Sequence, residues 1–211
     1  MGKVMSLRTL LYFPIVHSQS DMGALSESIR KVTVQKLGER VWRRKINLIE
    51  RFWSEVENTL ESLSLSYDTI LVYQDGLPVC GKEEEIVTEL AKKGSPNHQL
   101  LVRLMANGAK IMGTESAELL IEEYKLIKKI LESGNYKEVM KIETSLKEAS
   151  DLLLKKRDAF IAERIDQTLQ EGKTGILFLG VLHNLVGCLP GDIKILYPTL
   201  PPACVHARGP L

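Results

Sequence analysis

Short apolar runs alternate with long amphipathic segments along most of this chain. The apolar runs are typical of buried strands and cover residues 7–16, 68–73, 109–112, 175–182 and 192–197. Between them, apolar residues recur at helical spacing, most clearly over residues 37–63. Strands that alternate with helices favour parallel pairing through right-handed crossovers. The pattern therefore predicts an α/β fold with a mainly parallel sheet flanked by helices.

A long helical hairpin is predicted as an insertion before the fourth strand. Residues 115–132 and 136–171 are rich in Leu, Glu and Lys, and Thr114 is the expected N-cap of the first helix. Two shorter helices are predicted at residues 83–93 and 96–107. We expect residues 1–198 to form one domain, with the hairpin at about 115–171, and residues 199–211 to form an extended or disordered tail.

Composition excludes several classes of protein. The 211 residues are 44% hydrophobic and 26% charged, with a formal net charge of +1, which gives no bulk attraction to nucleic acid or to membranes. No apolar run approaches the length of a membrane-spanning helix, and the first residues have no signal-peptide pattern. Cys80, Cys188 and Cys204 have no CxxC spacing and are interpreted as free thiols. We therefore expect a cytoplasmic protein.

Two predicted strands, one near each end of the chain, run directly into a histidine. His17 follows residues 7–16, and His183 follows residues 175–182. In open α/β sheets ligands bind beyond the carboxyl ends of the strands, so the two imidazoles are candidates for one shared site. Imidazole can ligate a transition metal or transfer protons near neutral pH. The alternative is that each histidine is a hydrogen-bonded cap of its strand.

Glu115 and two arginines complete the candidate site. Glu115 follows the third predicted strand and could act there as a metal ligand or general base, although capping of a helix start would also explain it. Arg157 and Arg164 lie on one face of the second hairpin helix, where arginine often anchors an anion or an internal carboxylate. The alternative is that both extend from an apolar stripe and pair with Asp158 and Glu163.

Other polar features have weaker interpretations. Gln74 and Asp75 follow the second predicted strand, but Asp75-Gly76 is interpreted as a turn. The basic cluster of residues 40–45 is interpreted as a solvated helix face, which leaves no strong case for nucleic acid as a partner. The chain has no Walker loop, GxGxxG, GxSxG or HExxH motif, which argues against the commonest nucleotide-binding and hydrolase designs.

Two stretches of the C-terminal half resemble the TraB/Tiki group of proteins: residues 157–165 (RDAFIAERI) and Gly180–His183 (GVLH). This group is more distantly related to the ChaN-like and erythromycin-esterase-like proteins. Its members share a GxxH after the first strand, a carboxylate after a middle strand, an arginine-bearing helix and a second GxxH near the C-terminus. In this resemblance residues 14–17 (PIVH) are the first motif without its glycine, Gln74 takes the acidic position after the second strand, and residues 113–116 (GTES) fit the strand–glutamate pattern.

The resemblance implies an α/β fold and, in the Tiki branch, metal-dependent peptidase activity. The first hypothesis is therefore a metal-assisted hydrolase, peptidase- or esterase-like, with its site at the carboxyl edge of the sheet. His17, His183 and Glu115 would hold a divalent Zn, Mn or Fe ion or act as acid and base, and Arg157 or Arg164 would stabilise a substrate anion.

A second hypothesis is a non-catalytic protein that binds a small ligand or anion in the same pocket. In either case the expected partner is a small-molecule or peptide substrate or ligand, without a membrane. The apolar stripes of the hairpin would suit a homodimer. A third and weaker hypothesis is a nucleic-acid-associated protein that uses residues 40–45.

Overall fold

The computed structural model describes residues 7–18, 21, 23, 25–131 and 136–198 of the chain. Within these residues, five strands form a single sheet in which every pair is parallel. The strands are β1 (Arg8–Ile15), β2 (Ile70–Gln74), β3 (Lys110–Met112), β4 (Thr174–Gly180) and β5 (Ile193–Leu196). Their spatial order is β3-β2-β4-β1-β5. The predicted α/β fold with a parallel sheet is confirmed.

Six α-helices of the described residues flank this sheet. They are α1 (Ser26–Leu37), α2 (Glu39–Ser62), α3 (Glu83–Lys92), α4 (Pro96–Ala106), α5 (Ala117–Leu131) and α6 (Tyr136–Thr168). The helices α5 and α6 are the predicted hairpin, and they contact each other. The turn of the hairpin at residues 132–135 and the predicted tail at residues 199–211 lie outside the described residues.

The strands are apolar on both sides because each face of the sheet supports its own core. One core contains side chains of α2, α3 and α4, such as Trp53 and Leu101, packed with Phe13 and Phe178 of the sheet. The other core places Ile161, Ala162 and Ile165 of α6, and Leu169 just after its end, against the opposite face. Strands of a sheet covered on both faces are nearly continuously apolar, which explains the apolar runs in the sequence.

The helix predicted over residues 37–63 is interrupted at Gly38, and the preceding helix α1 was not predicted. Gly38 adopts φ 83°, which glycine tolerates and other residues rarely do, and its N–H donates to the Val34 carbonyl at 2.8 Å. None of the α1 side chains is fully buried, so α1 lacks a strong apolar stripe by which to recognise it.

Glu115 was predicted to lie at the start of a helix. In the structure it lies in the loop that precedes α5. The Thr114 hydroxyl accepts from the Gln74 N–H at 2.9 Å and donates to the Met112 carbonyl, so it links the ends of β2 and β3 and is not an N-cap. Glu115 forms an isolated bridge with Pro78, and α5 begins two residues later. Tertiary pairing of these loops overrides the capping pattern and turns Glu115 inward.

Pro14 is tolerated in β1 because of the side that its backbone nitrogen faces. Successive residues of a strand direct their N–H groups to opposite neighbours: Arg8 donates toward β5 and Thr9 toward β4. Pro14 has the parity of Arg8, but the pairing of β1 with β5 ends at Leu11. The proline therefore occupies a position at which no ladder hydrogen bond is lost.

Candidate functional site

The two histidines meet at the carboxyl edge of the sheet because β1 and β4 are adjacent. Ile15 and Gly180 are partners in the register of the two strands, so His17 and His183 follow at the same edge. Both imidazoles contact one carboxylate. His17 Nε2 lies 2.9 Å from Asp75 Oδ2, and His183 Nε2 lies 3.5 Å from Asp75 Oδ1. The Gly180 N–H also donates to Asp75 Oδ2 at 2.8 Å.

Asp75 is the central residue of this cluster, and its interpretation as a turn residue was incomplete. It does precede the turn at Gly76, but its carboxylate is buried. The sequence pointed to Gln74 as the counterpart of an acidic residue, but the carboxylate at this end of β2 belongs to Asp75. The Gln74 side chain is buried and donates from Nε2 to the Asp75 carbonyl at 3.0 Å. The site carboxylate therefore belongs to Asp75, and the side chain of the preceding residue, Gln74, is a buried amide.

Arg157 joins Asp75 to Glu115. Its Nε and Nη2 each lie 2.6 Å from a Glu115 oxygen in a bidentate pair, and Nη2 also lies 3.0 Å from Asp75 Oδ1. Nη1 donates to Glu123 of α5. The Gly76 N–H donates to Glu115 Oε1 at 2.8 Å. A single guanidinium therefore donates to three carboxylates, two of which are almost completely buried.

His183 is held through both of its ring nitrogens. Besides Asp75 on the Nε2 side, Asp158 Oδ1 lies 2.6 Å from Nδ1, and the other Asp158 oxygen accepts from the Asn184 N–H at 3.2 Å. Asp158 of α6 was considered as a local partner of arginine, but in the structure it orients the ring of His183. Carboxylates on both nitrogens favour the imidazolium and fix the plane of the ring.

Arg164, which the sequence grouped with Arg157, lies elsewhere. Its Nε donates to the Gly113 carbonyl at 3.1 Å, and no hydrogen bond among the described residues joins it to the site carboxylates. Arg164 therefore braces the backbone that leads to Glu115, whereas Arg157 contacts the carboxylates themselves. Of the five site residues predicted from the sequence, the structure brings together His17, Glu115, Arg157 and His183.

Of the five residues His17, Asp75, Glu115, Arg157 and His183, His17 has by far the largest contact with solvent. Its side chain is 28% exposed, whereas those of Asp75, Glu115, Arg157 and His183 are nearly inaccessible. Among the described residues, the hydrogen bond of the His17 ring is made through Nε2. The other ring nitrogen, Nδ1, is therefore the group of the cluster best placed to meet an incoming molecule.

Burial and neighbouring charges raise the pKa of some residues of the site and lower that of Asp75. Burial lowers the pKa of His17, but the Asp75 carboxylate outweighs it and raises the pKa to about 9. The pKa of His183 is likewise raised, because Asp75 and Asp158 outweigh burial. Burial raises the pKa of Asp75, yet the two histidines hold it well below its usual range. Burial raises the pKa of Glu115 despite its pair with Arg157.

Three of these side chains could hold a metal ion. Asp75, Glu115 and His183 each offer one ligand atom, and the three atoms lie within 4.8 Å of one another. Two carboxylates and one imidazole are a donor set that suits zinc, manganese or iron. His17, which was predicted as a ligand, is not part of this group but contacts Asp75 Oδ2. The Arg157 guanidinium now supplies the positive charge beside both carboxylates.

Gly180 is required by the close approach of Asp75. A Cβ at this position would lie 2.7 Å from Asp75 Oδ2 and 3.4 Å from His17 Nε2. We expect Gly180→Ala to displace the carboxylate and to lower the free energy of unfolding by about 1–3 kcal/mol. Gly191→Ala is the matched control, since nothing lies within 4 Å of its added Cβ. Denaturant unfolding of both variants tests this, and equal stabilities would contradict the steric argument.

The fold and this cluster define a class: an α/β protein with a buried, charge-compensated carboxylate–histidine centre at the carboxyl edge of a parallel sheet. No protein-family model, curated protein or solved structure gives a significant match to the chain. In the part of the chain that the structure describes, no helix is both long enough and apolar enough to cross a membrane.

Proposed function

We propose that this protein is a metal-assisted hydrolase of small ester or peptide substrates. The observation that carries the proposal is the bridging of His17 and His183 by the buried Asp75 carboxylate at the edge where α/β proteins bind ligands. The cluster combines an imidazole open to solvent with buried carboxylates and a fixed guanidinium, as acid–base chemistry requires.

His17 is assigned the proton-transfer role. The 2.9 Å contact of its Nε2 with Asp75 orients the ring, and the raised pKa of His17 keeps a proton on Nδ1 that can be donated to the substrate. Arg157 and His183 hold Asp75 in place from the buried side. This arrangement keeps the reacting proton on the exposed residue, while the buried residues supply a preorganised electrostatic environment.

The residues that would hold the metal are Asp75, Glu115 and His183. A bound divalent ion would supply Lewis-acid polarisation of the scissile carbonyl. Arg157 contacts two of these ligands, so metal binding requires the guanidinium to withdraw. Glu123, which already accepts from Arg157 and is about one-third exposed, offers it a partner nearer to solvent.

The experiment is metal analysis of tag-free protein loaded with zinc, manganese or iron at pH 7 and pH 8.5. We expect near-stoichiometric metal in the wild type and more than tenfold loss in Asp75→Asn, Glu115→Gln and His183→Gln. Retention should be better at the higher pH, because imidazole must lose its proton to ligate. His98→Gln changes a buried histidine outside the site and should retain the metal. Absence of metal under every loading condition would contradict the metal-assisted mechanism.

A second candidate function is non-catalytic binding of a small anion or other small ligand. It is favoured by the ion pairs of Arg157, which hold Asp75 and Glu115 without a metal, and by the partly exposed, protonated ring of His17, which can donate to an anion. This function predicts that small carboxylates stabilise the protein equally with and without chelator. It also predicts that no ester or peptide is hydrolysed by metal-loaded protein.

We further infer a distant relationship to the TraB/Tiki group, because Asp75 supplies the acidic group that Gln74 lacks.

A reducing, cytoplasmic location is supported by Cys80 and Cys188, which are exposed free thiols. Self-association through the hairpin is supported by exposed apolar side chains on both of its helices, including Ile121 and Leu152.

A further inference from the structure

Exposed apolar side chains precede and follow His183 in the chain. Leu182 is 70% exposed and Val186 is 73% exposed in the loop that connects β4 to β5, and Val181 is exposed beside them. His183 and Leu185, which alternate with them along the chain, point inward and are buried. The same short segment therefore builds the charged centre and presents aliphatic groups to solvent.

These groups are carried by a backbone that is held in place. The Val181 N–H donates to the Ile15 carbonyl at 3.2 Å, and the His183 N–H donates to the Gly180 carbonyl at 3.0 Å. The Val186 N–H donates to the Asn184 side chain at 3.0 Å. Exposure of Leu182 and Val186 is thus a property of an ordered turn.

A further exposed aliphatic residue lies beside the backbone of Glu115. Val79, in the loop after β2, is exposed, and its N–H donates to the Glu115 carbonyl at 2.8 Å. Val79 belongs to the Glu115 side of the site, whereas Val181, Leu182 and Val186 belong to the His183 side. We name these four residues the apolar rim.

We propose that the apolar rim binds an aliphatic acyl chain of the substrate and makes Leu182 and Val186 determinants of specificity. This inference rests on the proposed hydrolase function. Covering exposed aliphatic groups with a ligand lowers the free energy, and here these groups adjoin in the chain a charged centre suited to a carbonyl. An acyl ester joins both chemistries in one molecule. Hydrolysis breaks its acyl C–O bond, gives the OH of water to the acyl carbon and gives the remaining proton to the leaving oxygen.

The experiment compares p-nitrophenyl acetate and p-nitrophenyl octanoate as substrates of metal-loaded protein. We expect kcat/KM for octanoate to exceed that for acetate by at least about tenfold, and the Leu182→Ser/Val186→Ser double variant to reduce this ratio below about threefold. The ratio of the two substrates is the readout, because a general change in activity of the double variant cancels in it. Leu7→Ser alters a 58% exposed leucine before β1, at the opposite edge of the sheet, and should leave the ratio unchanged.

Calorimetric binding of octanoate and acetate separates the two proposals. Ester hydrolysis with no chain-length preference, or with a preference that survives in the double variant, overturns the apolar rim and leaves the hydrolase function intact. Octanoate binding that the double variant loses, without any ester hydrolysis, overturns the hydrolase function and supports the rim. Leucyl and glycyl p-nitroanilides are run alongside. A preference found only with the leucyl anilide assigns the rim to an amino-acid side chain and overturns the acyl-chain assignment.

Discussion

Arg157→Met is expected to lower the free energy of unfolding by about 3–5 kcal/mol. The variant removes the only guanidinium that contacts Asp75 and Glu115 among the described residues, and both carboxylates are buried. An uncompensated buried charge costs far more than the pair contributes, because water cannot replace the lost partner. Since Glu115 can respond by taking up a proton, the loss should be greater at pH 8 than at pH 5.5.

Urea unfolding of two further variants makes this prediction specific. Arg103→Met breaks a bidentate pair with Glu57 that is largely open to solvent, and it should cost less than about 1 kcal/mol. Arg157→Met combined with Glu115→Gln should recover part of the loss, because the Glu115 charge that is left without its guanidinium is gone, whereas Asp75 keeps its contacts with His17 and His183. A loss below about 1 kcal/mol in Arg157→Met would show that the carboxylates are not buried as described.

The second large effect is a loss of stability as the pH rises from about 6.5 to 9. The folded state holds the pKa of His17 at about 9, against an ordinary value of about 6.5 for unfolded chains. A raised pKa stabilises the folded state while the group is protonated. The contribution is complete below pH 6.5 and disappears as the pH passes 9. Its size is of order 2–3 kcal/mol, and His183 acts in the same direction.

His17→Gln isolates this contribution. The glutamine amide can still donate to Asp75 but does not titrate, so the variant should lose much of the pH dependence between 6.5 and 9. Unfolding free energies at several pH values, together with an NMR titration of the His17 ring, provide the measurement. Parallel stability curves for the two proteins, or a His17 pKa near 6.5, would contradict it.

The residues that could be recognised in the sequence are those that follow strongly apolar strands. His17 and His183 each terminate such a strand, and the geometry of parallel sheets places them at one edge. Glu115 was found by the same argument, although its local sequence also fits a helix cap. Asp75 satisfies the argument equally well, but the Asp-Gly turn pattern provided a sufficient local explanation and concealed it.

The choice between the two arginines could not be made from helical spacing. Arg157 and Arg164 lie two turns apart on one face of α6, and each has acidic neighbours in the sequence. Only the packing of α6 against the sheet brings Arg157 to the carboxylates and leaves Arg164 on the Gly113 carbonyl. Similarly, the sequence offers Asp158 as a local partner of arginine, whereas the packing of α6 brings its carboxylate to His183.

Hydrophobic periodicity by itself determined the α/β class and the order of most helices and strands, because burial on both faces of a parallel sheet imposes a strong local pattern. It also determined that two histidines lie at strand ends. The tertiary structure alone decided the break at Gly38, the inward turn of Glu115 and the sharing of one carboxylate by His17 and His183. These features depend on contacts between residues far apart in the chain, and the strength of an ion pair depends on burial that no local pattern encodes.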